Sequence, residues 1–134
     1  MRYWSKLLRN PESHLHGFDS FEGLPTDSIL THPAGHFSTH GKVPEIADER
    51  VAFFKRWFED TLPGYTLPSH EVLVVNIDAD LYSSTVTALD AVKQRLLPGS
   101  FLYFDEFNRR ADEMRAFGEL LDRSNINCLQ QAMT

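Results

Sequence analysis

An unbroken run of apolar, mostly β-branched residues, ended by acids, constrains the fold of this chain more than any other feature. Residues 72–77 read Val-Leu-Val-Val-Asn-Ile, and Asp78 and Asp80 follow them. A strand that is apolar on both faces is typical of the centre of a parallel sheet, where helices cover each side. We therefore predict a central strand over residues 72–77 that is buried on both faces.

A helix and another strand are predicted to follow. Four apolar residues recur at helical spacing: Val86, Leu89, Val92 and Leu96. Hydroxyl residues at 83–85 can cap the start of this helix, and Pro98 with Gly99 ends it. Residues 101–104 then predict a short buried strand, and residues 109–123 a second amphipathic helix. This order of elements predicts an α/β fold with a parallel sheet.

The N-terminal half has a weaker pattern. Residues 2–10 predict a short helix and residues 14–18 a strand, whereas residues 50–58 fit a strand or a helix. Residues 23–49 have no hydrophobic period and are rich in Gly and Pro. A long irregular segment inside a small domain is usually either functional or disordered, and as a functional segment this one would form a lid.

Size and charge narrow the classes of function. The chain has 134 residues, which favours one domain, and 19 acidic against 13 basic residues give a net charge of -6. This charge disfavours nucleic acid and anionic membranes as partners. No apolar stretch is long enough to span a bilayer, and the single Cys128 favours a reducing, cytoplasmic compartment.

Acidic residues end two of the predicted strands. Asp78 and Asp80 follow one, and Asp105 and Glu106 follow the next. Since ligands bind beyond the carboxyl ends of parallel strands, neighbouring strands would bring these carboxylates into one crevice. Carboxylates so close need a counter-ion, and Mg²⁺ prefers oxygen ligands. We favour a magnesium site over the alternative that these acids cap helices or face solvent.

Three histidines, His32, His36 and His40, are spaced by four residues. On one helix they would share a face and fit zinc. Because Pro33, Gly35 and Gly41 disfavour a helix there, we predict loop histidines, one of which could act as a general base.

Four blocks, in this order, resemble the macrocin O-methyltransferase (TylF/MycF-type) family. They are residues 18–25 (Phe-Asp-Ser-Phe-Glu-Gly-Leu-Pro), 57–63 (Trp-Phe-Glu-Asp-Thr-Leu-Pro), 78–85 (Asp-Ala-Asp-Leu-Tyr-Ser-Ser-Thr) and 104–107 (Phe-Asp-Glu-Phe). The resemblance implies a Rossmann-like class I methyltransferase sheet that uses S-adenosylmethionine and Mg²⁺. The implied reaction methylates a hydroxyl of a small molecule, such as a sugar on a natural product.

The resemblance also implies roles for particular residues. Asp78, Asp105 and Glu106 match the family's metal ligands. Asp78 and Asp80 are the catalytic candidates, and Asp80 would either support the metal ligands or act as an auxiliary base. Asp19 would lie near the cofactor ribose, with Ser20, Phe21 and Glu22 as further cofactor-binding candidates. The residues themselves leave an Asx turn at Asp19 equally open.

Several departures from the family pattern lead to further expectations. The seven glycines include no Gly-x-Gly pair, so the first strand and its glycine loop are expected to be missing, as is the C-terminal end of the sheet. Residues 1–134 are thus expected to form one partial domain with exposed sheet edges that favour a homo-oligomer. Arg56 replaces an expected glycine, and Asp112 an expected histidine.

Two other classes of function stay open at this point. A non-catalytic remnant of the same fold would explain the missing glycine loop. A metal-dependent glycosyltransferase could use the Asp-x-Asp of residues 78–80, although the second acidic strand end and the block at 18–25 disfavour it.

Overall fold

The computed structural model describes residues 1–27, 32–105 and 112–124. The chain divides into two compact units, residues 1–66 and 67–134, and each is described by itself. Among the described residues, no helix has the length and apolar character needed to cross a membrane.

Unit 1 contains a parallel strand pair. Its elements are α1 (Arg2–Ser5), β1 (Leu15–Asp19), β2 (Val51–Lys55) and α2 (Phe58–Thr61), and a 3₁₀ turn, Leu62–Gly64, follows α2. In the β1–β2 ladder Leu15 lies opposite Val51 and Asp19 opposite Lys55. The segment over residues 50–58 is therefore a strand that is followed by the start of a helix.

The helix predicted over residues 2–10 is wrong in length. Only Arg2–Ser5 are helical, and single turns continue to Leu8. Tyr3 and Leu7 are exposed, so the apolar face of this segment lacks the packing that would stabilise a longer helix.

Aromatic rings stabilise one face of the β1–β2 pair. Phe18 and Phe54 stack with centroids 4.7 Å apart, and Tyr65 meets both edge-on. The Tyr65 hydroxyl also lies 2.5 Å from His16 Nδ1. Burial, with a smaller effect of His14, lowers the pKa of His16, so the neutral imidazole is favoured in the folded unit.

Unit 2 contains the second parallel pair. Its elements are β3 (Val74–Ile77), α3 (Tyr82–Val92), which a 3₁₀ turn Lys93–Arg95 extends, β4 (Phe101–Phe104) and α4 (Glu113–Arg123). Val74 lies opposite Phe101 and Ile77 opposite Phe104. The predicted α/β class with parallel strands is thus confirmed. That the strands belong to one Rossmann-like sheet, incomplete at both ends within a single domain, stays a prediction.

The prediction that residues 72–77 are buried on both faces is wrong. Ile77 packs in the core with Leu89, Ala116 and Leu120, but Val74 is 53% exposed. The other strand follows the same alternation, since Phe101 is 62% exposed whereas Leu102 packs against the core. The described helices α3 and α4 pack on one side of β3–β4, so only alternate residues are covered.

The predicted N-cap of α3 is also wrong. Leu81 is the N-cap, without a side-chain cap, and Ser83, Ser84 and Thr85 lie inside the helix. The Thr85 hydroxyl donates to the Leu81 carbonyl, four residues earlier, at 3.0 Å. It therefore bonds within the helix and does not cap the amides at the helix start.

A polar cluster joins α3 to α4. The Tyr82 hydroxyl donates to Glu119 at 2.6 Å, and Glu119 also accepts from Arg115 at 2.9 Å. The Arg115 guanidinium lies 4.2 Å from the Tyr82 ring centroid. The Tyr82 hydroxyl, followed by Arg115, lowers the pKa of Glu119 below its ordinary value of 4.5.

This lowered pKa predicts a pH dependence of the stability of unit 2. The ionised Glu119 stabilises the folded unit above about pH 4.5, and the contribution is lost as pH falls through the lower folded-state value. Glu119→Gln should therefore flatten the loss of stability on acidification. The measurement is the urea midpoint between pH 6 and 3, followed by the NMR signals of Ile77 and Leu89. Asp122→Asn, at an exposed acid of the same helix, is the control and should retain the wild-type slope.

Candidate functional site

The turn after β1 holds the four candidate cofactor residues, Asp19, Ser20, Phe21 and Glu22. Asp19 Oδ1 accepts the Phe21 amide at 2.7 Å, and Ser20 Oγ accepts the Glu22 amide at 3.0 Å. The Asx turn left open by the sequence is therefore present. It fixes the backbone directly beyond the carboxyl end of the strand, which is where α/β proteins place ligand-binding groups.

Phe21 has an unusual backbone conformation in this turn. Its φ is +62°, which is rare for a residue with a side chain and costs about 1–3 kcal/mol. The side chain is only 6% exposed and meets Phe53 edge-on, so burial of the ring opposes this cost. Strain of this kind concentrates at binding sites, and a regular sequence pattern does not reveal it.

The described part of segment 23–49 anchors this turn. The Phe21 carbonyl accepts the amides of Thr39, at 3.2 Å, and Gly41, at 2.8 Å. Leu24 exchanges bonds with the same stretch, since its amide donates to His36 and its carbonyl accepts from Gly35. Residues 23–27 and 32–49 contain no regular helix or strand, as predicted, whereas their role as a lid stays a prediction.

The acids of unit 2 lie side by side. Asp78 and Asp105 directly follow Ile77 and Phe104, which are opposite each other in the ladder. The Asp105 amide donates to the Ile77 carbonyl at 3.1 Å, so the last ladder bond holds the backbone at Asp105 next to β3. The structure thereby brings together the two strand-end acids, both of them exposed, whereas Glu106 lies outside the described residues.

Asp80 lies in a tight turn between β3 and α3. The Leu81 amide donates to the Ala79 carbonyl at 2.6 Å, and Asp80 between them has φ +57°. Asp tolerates this left-handed conformation better than most residues. The turn separates Asp78, the strand-end acid, from Asp80, which is partly buried.

The donor set of unit 2 is chemically suited to a hard cation. Asp78 and Asp105 offer carboxylate oxygens on adjoining strand ends, and such oxygens are what Mg²⁺ prefers. Residues 1–27, 32–105 and 112–124 contain no group of three or more His, Cys, Asp or Glu that could hold a metal. The structure therefore brings two of the three predicted ligands to adjoining positions, and their role as metal ligands stays a prediction.

The predicted loop histidines are confirmed, since residues 32–41 contain no helix. His32 and His36 stack face to face with centroids 4.2 Å apart, and Phe37 meets both edge-on. In the described part of the chain these histidines belong to no group of three metal-ligating residues.

Sequence reasoning missed Glu113. The residue is 1% exposed, and its Oε1 accepts the amide of Ala79, which lies between Asp78 and Asp80, at 3.3 Å. A signal existed: Glu113 precedes Ala116, Phe117 and Leu120 at helical spacing, so the pattern places it on the apolar face of α4.

An open depression of about 210 Å³ lies elsewhere in unit 2. It is lined by Ser69, His70, Gln94, Arg95 and Leu97. These residues precede β3 or follow α3, so the depression is at the opposite end of the strand from Asp78.

Comparison with known proteins defines the class. The model of the TylF macrocin-O-methyltransferase family matches residues 6–131. The chain therefore belongs to this family, as the four sequence blocks predicted.

Individual relatives are O-methyltransferases of bacterial natural products. The chain is 33% identical over 106 residues to 8-demethyl-8-(2,3-dimethoxy-alpha-L-rhamnosyl)-tetracenomycin-C 4'-O-methyltransferase of Streptomyces olivaceus, which covers 66% of this chain and 40% of that protein. It is 33% identical to mycinamicin III 3''-O-methyltransferase of Micromonospora griseorubida, over 72% of this chain and 35% of that protein. Demethyldecarbamoylnovobiocin O-methyltransferase of Streptomyces niveus is 32% identical, over 78% and 48% respectively. The chain thus spans less than half the length of each of these relatives.

The geometry of the β1 turn predicts a strong effect of Gly23→Ala. Gly23 has φ +83°, and a Cβ there would lie against the His36 carbonyl oxygen and 2.5 Å from that of Gly35. Both neighbours are backbone, so the turn would shift, at a cost of about 1–3 kcal/mol for the φ alone. Both tryptophans, Trp4 and Trp57, belong to unit 1, so intrinsic fluorescence during urea unfolding measures this cost.

Gly64→Ala is the matched control for that measurement. A Cβ at Gly64 meets nothing within 4 Å and the residue has no positive φ. Its midpoint should stay close to wild type. Equal midpoints for Gly23→Ala and wild type would show that the turn does not need a glycine there.

Proposed function

We propose that this chain provides part of the active site of an O-methyltransferase that uses S-adenosylmethionine and Mg²⁺. The observation on which the proposal rests is the pair Asp78 and Asp105, on adjoining strand ends of a chain that belongs to an O-methyltransferase family. The name of one relative supports a sugar hydroxyl as the acceptor, because it prints a rhamnosyl group and a methylated 4'-oxygen.

In this proposal, the residues of unit 2 prepare the acceptor. Asp78 and Asp105 hold the metal ion, together with Glu106, and Asp80 accepts the proton that the acceptor hydroxyl loses. When bound, a divalent cation would lower the pKa of the acceptor hydroxyl and orient its oxygen as a nucleophile. The tight turn at Asp80, closed by the bond from the Leu81 amide to the Ala79 carbonyl, fixes the backbone that carries the Asp80 carboxylate.

The β1 turn binds the methyl donor in this proposal. A carboxylate can accept hydrogen bonds from two ribose hydroxyls, and Asp19 is exposed at the end of β1. Ser20 and Phe21 are buried and act through the turn: their side chains fix the backbone that presents Asp19 and Glu22. The absence of a Gly-x-Gly pair from residues 1–134 leads us to expect weak donor binding by this chain alone.

Metal binding is the first test of the proposal. Asp78→Asn and Asp105→Asn should each weaken Mg²⁺ binding at least about tenfold, since even residues that only support metal ligands are worth about 10–100-fold. Calorimetric titration of the wild type and both variants measures this. Asp90→Asn, at an exposed acid on α3 that pairs with Lys93, is the control and should bind like wild type. Equal affinities in wild type and Asp105→Asn would overturn the metal assignment.

Donor binding is the second test and separates the methyltransferase from the glycosyltransferase alternative. With Mg²⁺ present, millimolar S-adenosylhomocysteine should shift the NMR signals of the amides at residues 19–23, and Asp19→Asn should reduce the shifts. UDP at the same concentration should leave them unchanged. Shifts with UDP and none with S-adenosylhomocysteine would favour a sugar-nucleotide enzyme. If neither compound shifts the NMR signals of the folded chain, the result would favour the non-catalytic remnant.

A further inference from the structure

Glu113 carries a carboxyl group on the face of α4 that packs in the apolar core. It is 1% exposed, and Ala116 and Leu120, which follow it at helical spacing, are core residues. An acid is almost never fully buried unless hydrogen bonds or charges compensate for its lost hydration. The burial of Glu113 therefore calls for a partner whose contact offsets that cost.

One such contact reaches the acidic turn. Glu113 Oε1 accepts the backbone amide of Ala79 at 3.3 Å. Ala79 separates Asp78 from Asp80, and its carbonyl accepts the Leu81 amide at 2.6 Å. The bond from Glu113 thus fixes the amide of the residue at which the tight turn begins, next to the positive φ of Asp80.

The packing of the two helices does not depend on this bond. Leu89, Ala116 and Leu120 form the core between α3 and α4, and Tyr82 with Glu119 joins the helices at the surface. An apolar residue at position 113 would simply extend the core. A buried acceptor there has a specific effect on the turn that an apolar side chain would lack.

We propose that Glu113 is a positioning residue: its buried carboxyl oxygen holds the Ala79 amide and thereby sets the spacing of Asp78 and Asp80. This inference rests on the proposed function only in taking those two acids as site residues. The property needed is a hydrogen-bond acceptor at this position, so Glu113→Gln should preserve it. Glu113→Met, which is similar in size but offers no oxygen, should abolish it.

The first experiment measures the Ala79 amide by hydrogen exchange and NMR, with no ligand added. In Glu113→Met this amide should exchange about tenfold faster relative to the amides of Val75 and Leu102, whereas Glu113→Gln should match wild type. Leu89→Ala, which destabilises the same core but removes no hydrogen-bond acceptor from the Ala79 amide, should leave that ratio unchanged. An unchanged Ala79 ratio in Glu113→Met would overturn the inference, as would equal effects of Met and Gln.

A second measurement needs no variant and so remains decisive if Glu113→Met fails to fold. A scalar coupling across the hydrogen bond, between the Ala79 amide nitrogen and the Glu113 carboxyl carbon, is expected in the wild type. Its absence in spectra that resolve equivalent couplings of the β3–β4 ladder would overturn the inference.

The third measurement asks whether positioning matters to the site, with Mn²⁺ alone as the probe. Paramagnetic broadening of the Asp78 and Asp80 amides should require about tenfold more Mn²⁺ in Glu113→Met than in wild type, Glu113→Gln or Leu89→Ala. Equal Mn²⁺ dependence in all four would overturn a positioning role for metal binding. No broadening in wild type would instead count against the metal part of the proposed function, while the exchange ratio still decides whether Glu113 holds the turn.

Discussion

The hydrogen bond from the Asp105 amide to the Ile77 carbonyl is the contact on which the candidate site of unit 2 depends. It belongs to the last pair of the parallel β3–β4 ladder, Ile77 and Phe104. Parallel register then gives Asp78 and Asp105 neighbouring positions, because both strands run in the same direction and end together. A shift of β3 by one residue relative to β4 would turn Asp78 and Asp105 toward opposite faces of the strand pair. It would also remove Ile77 from the core.

The core beneath those acids explains why the register is firm. Ile77 and Leu89 pack with Ala116 and Leu120, so slippage of β3 would expose Ile77 to water. Burial of a side chain of this size is worth about 1.5–3 kcal/mol. The exposed face of the same strands, at Val74 and Phe101, contributes little to this specificity. The position of the acids therefore depends on one covered face of the sheet.

The strands and the strand-end acids could be predicted because their signals are local. The apolar runs at 72–77 and 101–104 end where acids begin, and the observed strands Val74–Ile77 and Phe101–Phe104 end there too. Burial on both faces could not be predicted from the Val-rich run. Apolar side chains allow a strand to be buried on both faces, but they do not show which faces are covered by helices. The capping role of Ser83 failed because helix α3 already begins at Tyr82, before the first hydroxyl.

What the sequence could not reveal is how the two acidic turns hold their shapes. Both turns follow the carboxyl end of a strand, and both contain a non-glycine residue with positive φ, Phe21 in one and Asp80 in the other. Each is held by contacts from residues distant in the chain: Thr39 and Gly41 bind the Phe21 carbonyl, and Glu113 binds the Ala79 amide. Unfavourable backbone conformations persist only where the surroundings determine them strongly. That both candidate turns meet this condition, by unrelated contacts, is an argument from structure for a role beyond connection of a strand to the next element.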